Sequence, residues 1–199
     1  ASAIRDRHYW ALAGVFFCGN IVTQMLLIHQ VAYLADRGVP VMLAASVGGG
    51  IVGVVSIVGK IGWGALSDRI GRELTYTLGF SCVVASVGAL VLAGMYPASA
   101  FPYLYGVLIG LGYATTAPLT PAAASDLFRG PGFSTIFGTL QGMLSLGAAV
   151  GSWGAGKIFD MTGSYAVALW VALASAIMAP AFMWLAAPRR PHPPPISRH

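Results

Sequence analysis

Charge is what this sequence has least of. Only 9% of its 199 residues are Asp, Glu, Lys or Arg, against 57% hydrophobic, whereas an ordinary soluble domain is about 25% charged and about 45–50% apolar. Length alone permits one soluble domain, but the side chains for its polar surface are missing. Lipid is the solvent that fits. Cysteine is nearly absent too: Cys18 and Cys82 both sit inside apolar runs and read as small buried residues, not as a disulfide or metal pair. No CxxC, HExxH, P-loop or dinucleotide fingerprint occurs, so no metal and no cofactor is expected. An intramembrane enzyme would want a metal cluster, a Ser/His pair or paired Asp inside the apolar runs, and none is there. Collagen is excluded as well, because the 26 Gly follow no Gly-X-Y period.

Long apolar runs are abundant. About 20 such residues cross a bilayer as a helix, and runs of that kind cover 9–34, 41–66, 74–95, 101–123, 133–159 and 165–187. None alternates with period two over its length, which argues against a β-barrel. The first is not a signal peptide, since further runs follow it and no cleavage-like site ends it. The expectation is an all-α membrane protein with a bundle over 9–187. Residues 1–8 precede it and a basic, Pro-rich tail, 188–199, follows.

Asp6, Asp36, Asp68, Glu73, Asp126 and Asp160 all fall outside these runs or at their ends, as the cost of burying a charge in hydrocarbon requires. An even number of spans puts both termini on one side. Arg5, Arg7, Arg69, Arg72, Arg129, Arg189, Arg190 and Arg198 lie on that side, Arg37 and Lys157 on the other, and Lys60 within a span. The positive-inside rule then makes both termini cytoplasmic. This also accounts for the net charge of +5 without nucleic acid. The tail reads as a disordered cytoplasmic end that can also attract anionic lipid.

Shifting the chain by 92 residues aligns Gly64, Asp68 and Gly71 with Gly156, Asp160 and Gly163, and Gly14-Val15 with Gly106-Val107. A shared offset marks an internal repeat. An odd number of spans separates the copies, so they face opposite sides of the membrane. That is the 3+3 inverted repeat found within each half of some secondary transporters.

The stretch Gly64-Ala-Leu-Ser-Asp68-Arg69-Ile-Gly71-Arg72 resembles the signature loop of the major facilitator superfamily, G-x-L-a-D-[RK]-x-G-[RK]-[RK]. It departs at Glu73, where a second basic residue is usual. YLADRGVP, ASDLFRG and GKIFDMTGSY are similar to the second half of such a transporter, and most similar to the bacterial monocarboxylate and oxalate/formate branch. The resemblance covers the whole chain. It implies the second of two six-span bundles, with ASAIRDRHYW as the end of a cytoplasmic linker and an amino-terminal half, fused upstream or a second copy, as partner. It implies a multi-pass protein, expected in a bacterial inner membrane, that moves a small organic anion by alternating access, as symporter or antiporter. By the same resemblance, Asp68 docks on a helix end of the other half, where free N–H groups favour a carboxylate. Arg69 and Arg72 hold the loop cytoplasmic and organise Asp68. Gly64 allows close packing and Gly71 a tight turn. A role as topology anchor alone is the plainer reading of the loop. Asp160 is the weaker outer counterpart, with Lys157 spaced to pair with it.

Polar residues inside spans are the candidate solute contacts. Lys60 lies roughly 9 Å to the cytoplasmic side of its span's middle. It either snorkels to the interface or faces a central cavity and holds an anion. The resemblance favours the cavity, because a basic residue four before the signature glycine is assigned to the substrate carboxylate in monocarboxylate-like members. Ser56, one turn before, shares its face. Asn20, Thr23 and Gln24 fall within about 100° on the first span and either line the cavity or bond between helices. Tyr113, Thr116 and Thr120 recur at helical spacing on the fourth span, which Pro118 and Pro121 should bend. Gln141 and Ser145 form an i, i+4 pair on the fifth. His29 reads as an interfacial residue or a proton relay. Gly49/Gly53 and Gly138/Gly142 have GxxxG spacing and read as packing sites. Besides the anion transporter, the sequence allows a carrier of neutral or drug-like solutes, and a stand-alone six-span scaffold or sensor subunit.

Overall fold

The computed structural model describes residues 6–130 and 132–186. The expected tail 188–199 lies outside the described residues, as do Arg5, Arg189, Arg190 and Arg198. Among the described residues, six helices are long and apolar enough to cross a membrane: α1 (Arg7–Asp36), α2 (Val41–Ile70), α3 (Arg72–Met95), α4 (Phe101–Leu127), α5 (Phe133–Thr162) and α6 (Ala166–Ala186). Asp6 caps α1, its carboxylate accepting from the His8 N–H at 2.9 Å. His8 Nδ1 lies 3.0 Å from the Ala186 carbonyl, so the start of α1 and the end of α6 meet at one end of the bundle.

The inverted repeat is built into the backbone. Among the described residues the glycines with positive φ are Gly38, Gly71, Gly130 and Gly163. They fall into two pairs 92 positions apart, Gly38 with Gly130 and Gly71 with Gly163. The same offset carries the bounds of α2 onto those of α5. Helix packing obeys the exchange as well. α1 lies along α5 and α6; its counterpart α4 lies along α2 and α3; and the counterparts α3 and α6 pack on each other. The chain is therefore an all-α six-helix membrane bundle with 3+3 inverted-repeat architecture.

Two departures from regular helix interrupt α2 and α4. Residues Ser46–Ile51 of α2, which include Gly48, Gly49 and Gly50, form a π-helical segment, a wide turn often found at functional positions. α4 is broken at Thr115, which separates Phe101–Ala114 from Thr116–Leu127. Pro118 supplies the cause: its ring crowds the carbonyl four residues earlier and it offers no N–H.

Close approach is concentrated where small residues face each other. The buried face of α6 is mostly alanine, Ala168, Ala172, Ala176, Ala179 and Ala186, with Ser175 and Met183. On α5, Gly147 and Gly151 lie against the backbone carbonyls of Phe17 and Ile21 on α1, where a Cβ would overlap main chain. The GxxxG pairs read as packing sites are different. Gly49, Gly53, Gly138 and Gly142 have nothing within 4 Å of a built Cβ, so within this bundle they pack against nothing. The GxxxG pairs in close contact are Gly147/Gly151 on α5 and Gly106/Gly110 on α4, where an added Cβ would crowd Val47, Val55 and the Val52 carbonyl of α2. α2 and α5, repeat counterparts, are also the least buried helices, while α1 is the most buried.

Gly151→Ala is expected to lower the stability of this chain in detergent by about 1–3 kcal/mol, the usual cost of overpacking. Gly142→Ala should leave it unchanged or slightly raised, since alanine favours helix. Thermal unfolding of the two variants checks the contrast.

Candidate functional site

The polar residues expected on α2 and α4 come together. Lys60 Nζ lies 5.5 Å from the centroid of the Tyr113 ring. The Tyr113 hydroxyl donates to Ser56 Oγ at 3.0 Å, and Ser56 donates to the Gly53 carbonyl at 2.8 Å. Ser56 is buried, while Lys60 and Tyr113 are half-buried. An ammonium over an aromatic face is attracted by the ring quadrupole, by about 0.5–2 kcal/mol as water is removed. Among the described residues no carboxylate pairs with Lys60. Thr116, half-buried at the start of the second part of α4, donates to the Tyr113 carbonyl at 2.8 Å, and Thr120 repeats this one turn on.

Trp63, one turn after Lys60, completes the junction. Its Nε1–H donates to the Leu111 carbonyl at 2.8 Å. In an unbroken helix that carbonyl would accept from Thr115, but the Thr115 N–H turns to Gly112 O at 3.2 Å. The indole takes the group that the break releases. Sequence reasoning passed over Trp63, although it lies on the Lys60 face and Pro118 marks the break.

The remaining candidates do not join this cluster. The Asn20 amide donates to the Leu144 carbonyl of α5 at 2.7 Å, which is the bonding-between-helices reading. Thr23 is buried and donates to Gly19 O at 2.7 Å; Gln24 is half-buried beside it. Gln141 is exposed on α5, and Ser145 donates to its carbonyl at 3.0 Å. Among the described residues no hydrogen bond connects Asn20, Thr23, Gln24 or Gln141 with Lys60 or Tyr113. The cysteines are both free thiols; Cys18 is buried, Cys82 only partly.

At the end of the bundle shared by the α2–α3 junction and the close of α4, Arg72 sits between two carboxylates. It lies 2.7 Å from Asp68 and 3.2 Å from Asp126, and Arg129 approaches Asp126 at 3.6 Å. Arg72 also donates to Ser67 Oγ at 2.5 Å. Gly71 alone separates the helices, at φ 95°, a value that favours glycine. Asp68 lies near the C-terminus of α2 and Arg72 opens α3, so each charge opposes its own helix dipole; pairing offsets both. The Asp68 side chain keeps 69% of its surface exposed, leaving one side open to another partner. Two expectations are corrected here. Arg69 is exposed and makes no ion pair among the described residues; Asp126 on α4 is the second group that Arg72 holds. Gly64 is not required for packing within the bundle, because a Cβ there would meet Pro118 at an ordinary 3.7 Å.

The opposite end carries Gly156, Asp160 and Gly163. Gly163 ends α5 in the left-handed region at φ 65°. Gly156 lies near His29, 3.7 Å from a built Cβ to its ring. Lys157 and Asp160 are exposed, and the pair their spacing allows is not formed. His29 is fixed instead, with Nε2 2.9 Å from the Ser152 carbonyl and Nδ1 3.5 Å from the Tyr165 hydroxyl. Burial raises the Tyr165 phenol above its ordinary pKa, and Asp36 and Asp160 add to the rise, so it stays neutral at physiological pH.

The Arg72 network is solvent-facing, and exposed ion pairs contribute little to stability. A double-mutant cycle on Arg72→Gln and Asp126→Asn, read by detergent-induced unfolding, is expected to give a coupling below about 1 kcal/mol.

Comparison with known proteins agrees with this architecture. A putative tartrate transporter from Agrobacterium vitis is 24% identical over 170 residues, which covers 85% of this chain and 38% of the relative. The chain therefore spans well under half the length of that curated relative. The sequence profile described as Major Facilitator Superfamily matches residues 1–133, from before α1 to the start of α5. With that match over most of its length, the chain belongs to the Major Facilitator Superfamily.

Proposed function

We propose that this chain is one half of a secondary active transporter that moves a small organic anion by alternating access. The observation that carries this reading is Lys60. A half-buried ammonium inside a membrane span, with an aromatic ring beside it and no carboxylate partner among the described residues, is a site that an anion would complete. Ser56 and Tyr113 supply hydroxyls at the same place, and Thr116 lies one turn along. Gln24 and Gln141 contact the solute only on a wall that the other half closes, whereas Asn20 and Thr23 are committed to bonds within the bundle. Lysine is a point charge without arginine's fork, which suits a single carboxylate and admits several geometries around it.

Family membership supports transport across a membrane, and the relative's name, putative tartrate transporter, supports an organic acid as the solute class. The finer placing, in the monocarboxylate and oxalate/formate branch, rests on the resemblance of YLADRGVP, ASDLFRG and GKIFDMTGSY, and Lys60 standing four residues before Gly64 fits it. The exposed faces of α2 and α5 suit an amino-terminal six-helix half as partner. In this reading residues 1–8 end a linker between halves, 188–199 form a cytoplasmic tail, both termini are cytoplasmic, and the membrane is the bacterial inner membrane. Coupling to protons needs a carboxylate from that other half, since every Asp and Glu of this chain lies outside the apolar runs or at their ends; exchange against a counter-solute needs none. Asp68, held by Arg72 with one side open, docks on the other half and releases as the transporter changes face.

The test is uptake of radiolabelled tartrate and of simple monocarboxylates into vesicles containing the native protein that carries this chain. Lys60→Gln is expected to raise the apparent KM for the transported anion by about tenfold or more, the loss of a charge-assisted contact. An unchanged affinity removes the anion site. Asp68→Asn should lower the maximal rate while leaving membrane insertion intact; normal kinetics would reduce the loop to a topology anchor.

A further inference from the structure

Three side chains on one face of α2 reach across to α4. Ser56 and Lys60 both meet Tyr113, and Trp63 meets the Leu111 carbonyl. The first two contacts fix the position of one ring. The third does something different, because it binds main chain. Leu111 O is the carbonyl that loses its helical partner when Thr115 turns to Gly112. An indole N–H is a donor with no acceptor function, aimed here at a backbone carbonyl that needs a donor. A carbonyl in hydrocarbon without a partner is costly, so the broken geometry of α4 and the Trp63 bond depend on each other. Tyr113 sits inside this turn, between Leu111 and Thr115. Its ring direction, and hence the place of the Lys60 ammonium, follows from the state of that break.

We infer that Trp63 is a positioning residue for the Lys60–Tyr113 site: its indole N–H holds the Leu111 carbonyl, keeps α4 open at Thr115, and so sets the aromatic face on which the Lys60 ammonium rests. The inference builds on the anion reading of Lys60, yet its physical content is the geometry of the pair, which can be measured without transport. When the indole donor is lost, Thr115 N–H returns to Leu111 O, the helix closes up, and Tyr113 turns away from Lys60. Pro118→Ala reaches the same end from the other direction. It restores an N–H for the Ala114 carbonyl and removes the ring that crowds that turn, so α4 can close up at Thr115 and the Thr115 N–H can return from Gly112 O to Leu111 O.

The experiment reads the reactivity of the Lys60 amine. Lys60 and Lys157 are the only lysines in this chain, and Lys157 is exposed at the far end of α5, so it serves as an internal reference. The native protein that carries this chain, in vesicles, is labelled with a membrane-permeant amine reagent, and the two sites are quantified by peptide mass spectrometry. Trp63→Phe keeps an aromatic ring and loses the donor. It should change the Lys60-to-Lys157 labelling ratio by about threefold or more, the scale of one hydrogen bond, and Pro118→Ala should shift it in the same direction. The double variant should show no more than either single change, because both act through one carbonyl. For tartrate uptake, Trp63→Phe should raise KM by a similar factor with little change in maximal rate, whereas a merely structural role would lower the amount of protein and leave KM alone. An unchanged labelling ratio in both single variants overturns the inference. If Lys60→Gln leaves the tartrate KM unaltered while the labelling ratio still responds to Trp63→Phe, the positioning stands and the anion reading fails.

Discussion

The constraint on which this structure depends is the cost of leaving a polar group without a partner in hydrocarbon. The acidic side chains are kept to the helix ends for that reason. Hydroxyls inside the spans turn back onto carbonyls of their own helix, as Thr23, Thr75, Ser86 and Thr120 do. Asn20, His29 and Trp63 reach a neighbouring backbone instead, at Leu144 O, Ser152 O and Leu111 O, while the buried hydroxyls of Tyr76 and Tyr105 have no such partner among the described residues. Lys60 stands apart. Its ammonium has three donors and rests against a ring, with no carboxylate partner among the described residues, so it has capacity left for something the chain does not supply.

A second consequence concerns packing. Lipid tails are as apolar as leucine, so helices are held by close contact and not by exclusion from water. The repeat uses this twice, with different results. On one side of the pseudo-twofold, α5 meets α1 through Gly147 and Gly151, backbone against backbone. On the other, α2 meets α4 through Ser56, Lys60 and Trp63. The 92-residue offset maps those three onto Ala148, Ser152 and Ala155, and maps Tyr113 onto Ile21. The scaffold is symmetric and its chemistry is not. One copy of the interface is a backbone-to-backbone seam crossed by Asn20 and His29; the other carries a charge, a phenol and a captured carbonyl. Arg72, which joins Asp68 to Asp126, maps onto Ser164, so the two ends of the bundle differ in the same way.

Much of this was legible in the sequence because membrane helices must be long, apolar and free of interior carboxylates. The repeat was readable at Gly71/Gly163, where two helices end in backbone that favours glycine. The matching pair Gly38/Gly130 was passed over, because only the dipeptides Arg37-Gly38 and Arg129-Gly130 agree there and the flanking residues differ. Ser56 and Lys60 could be placed on one face by spacing, and Tyr113 on its own helix. That they meet depends on which faces of α2 and α4 turn inward, and spacing is silent on that. The same ambiguity explains the misread GxxxG pairs. α5 has Gly138/Gly142 and Gly147/Gly151 at equal spacing, and only the partner helix decides which pair is buried. Trp63 was invisible for another reason: its acceptor is a main-chain carbonyl exposed by a proline three residues beyond Thr115. Patterns of side chains do not reveal such partners.

The inverted repeat is the claim from which the rest follows, and the sidedness of its two loops tests it most directly. A single cysteine is placed at Arg69, or at Asp160, in a chain whose Cys18 and Cys82 have been replaced by alanine. Each variant is then challenged with a membrane-impermeant thiol reagent on sealed vesicles of known orientation. The account predicts labelling of position 69 from one face only and of position 160 from the opposite face only. Labelling of both positions from the same face would contradict the inverted architecture, and with it the placing of the Lys60 site within the membrane.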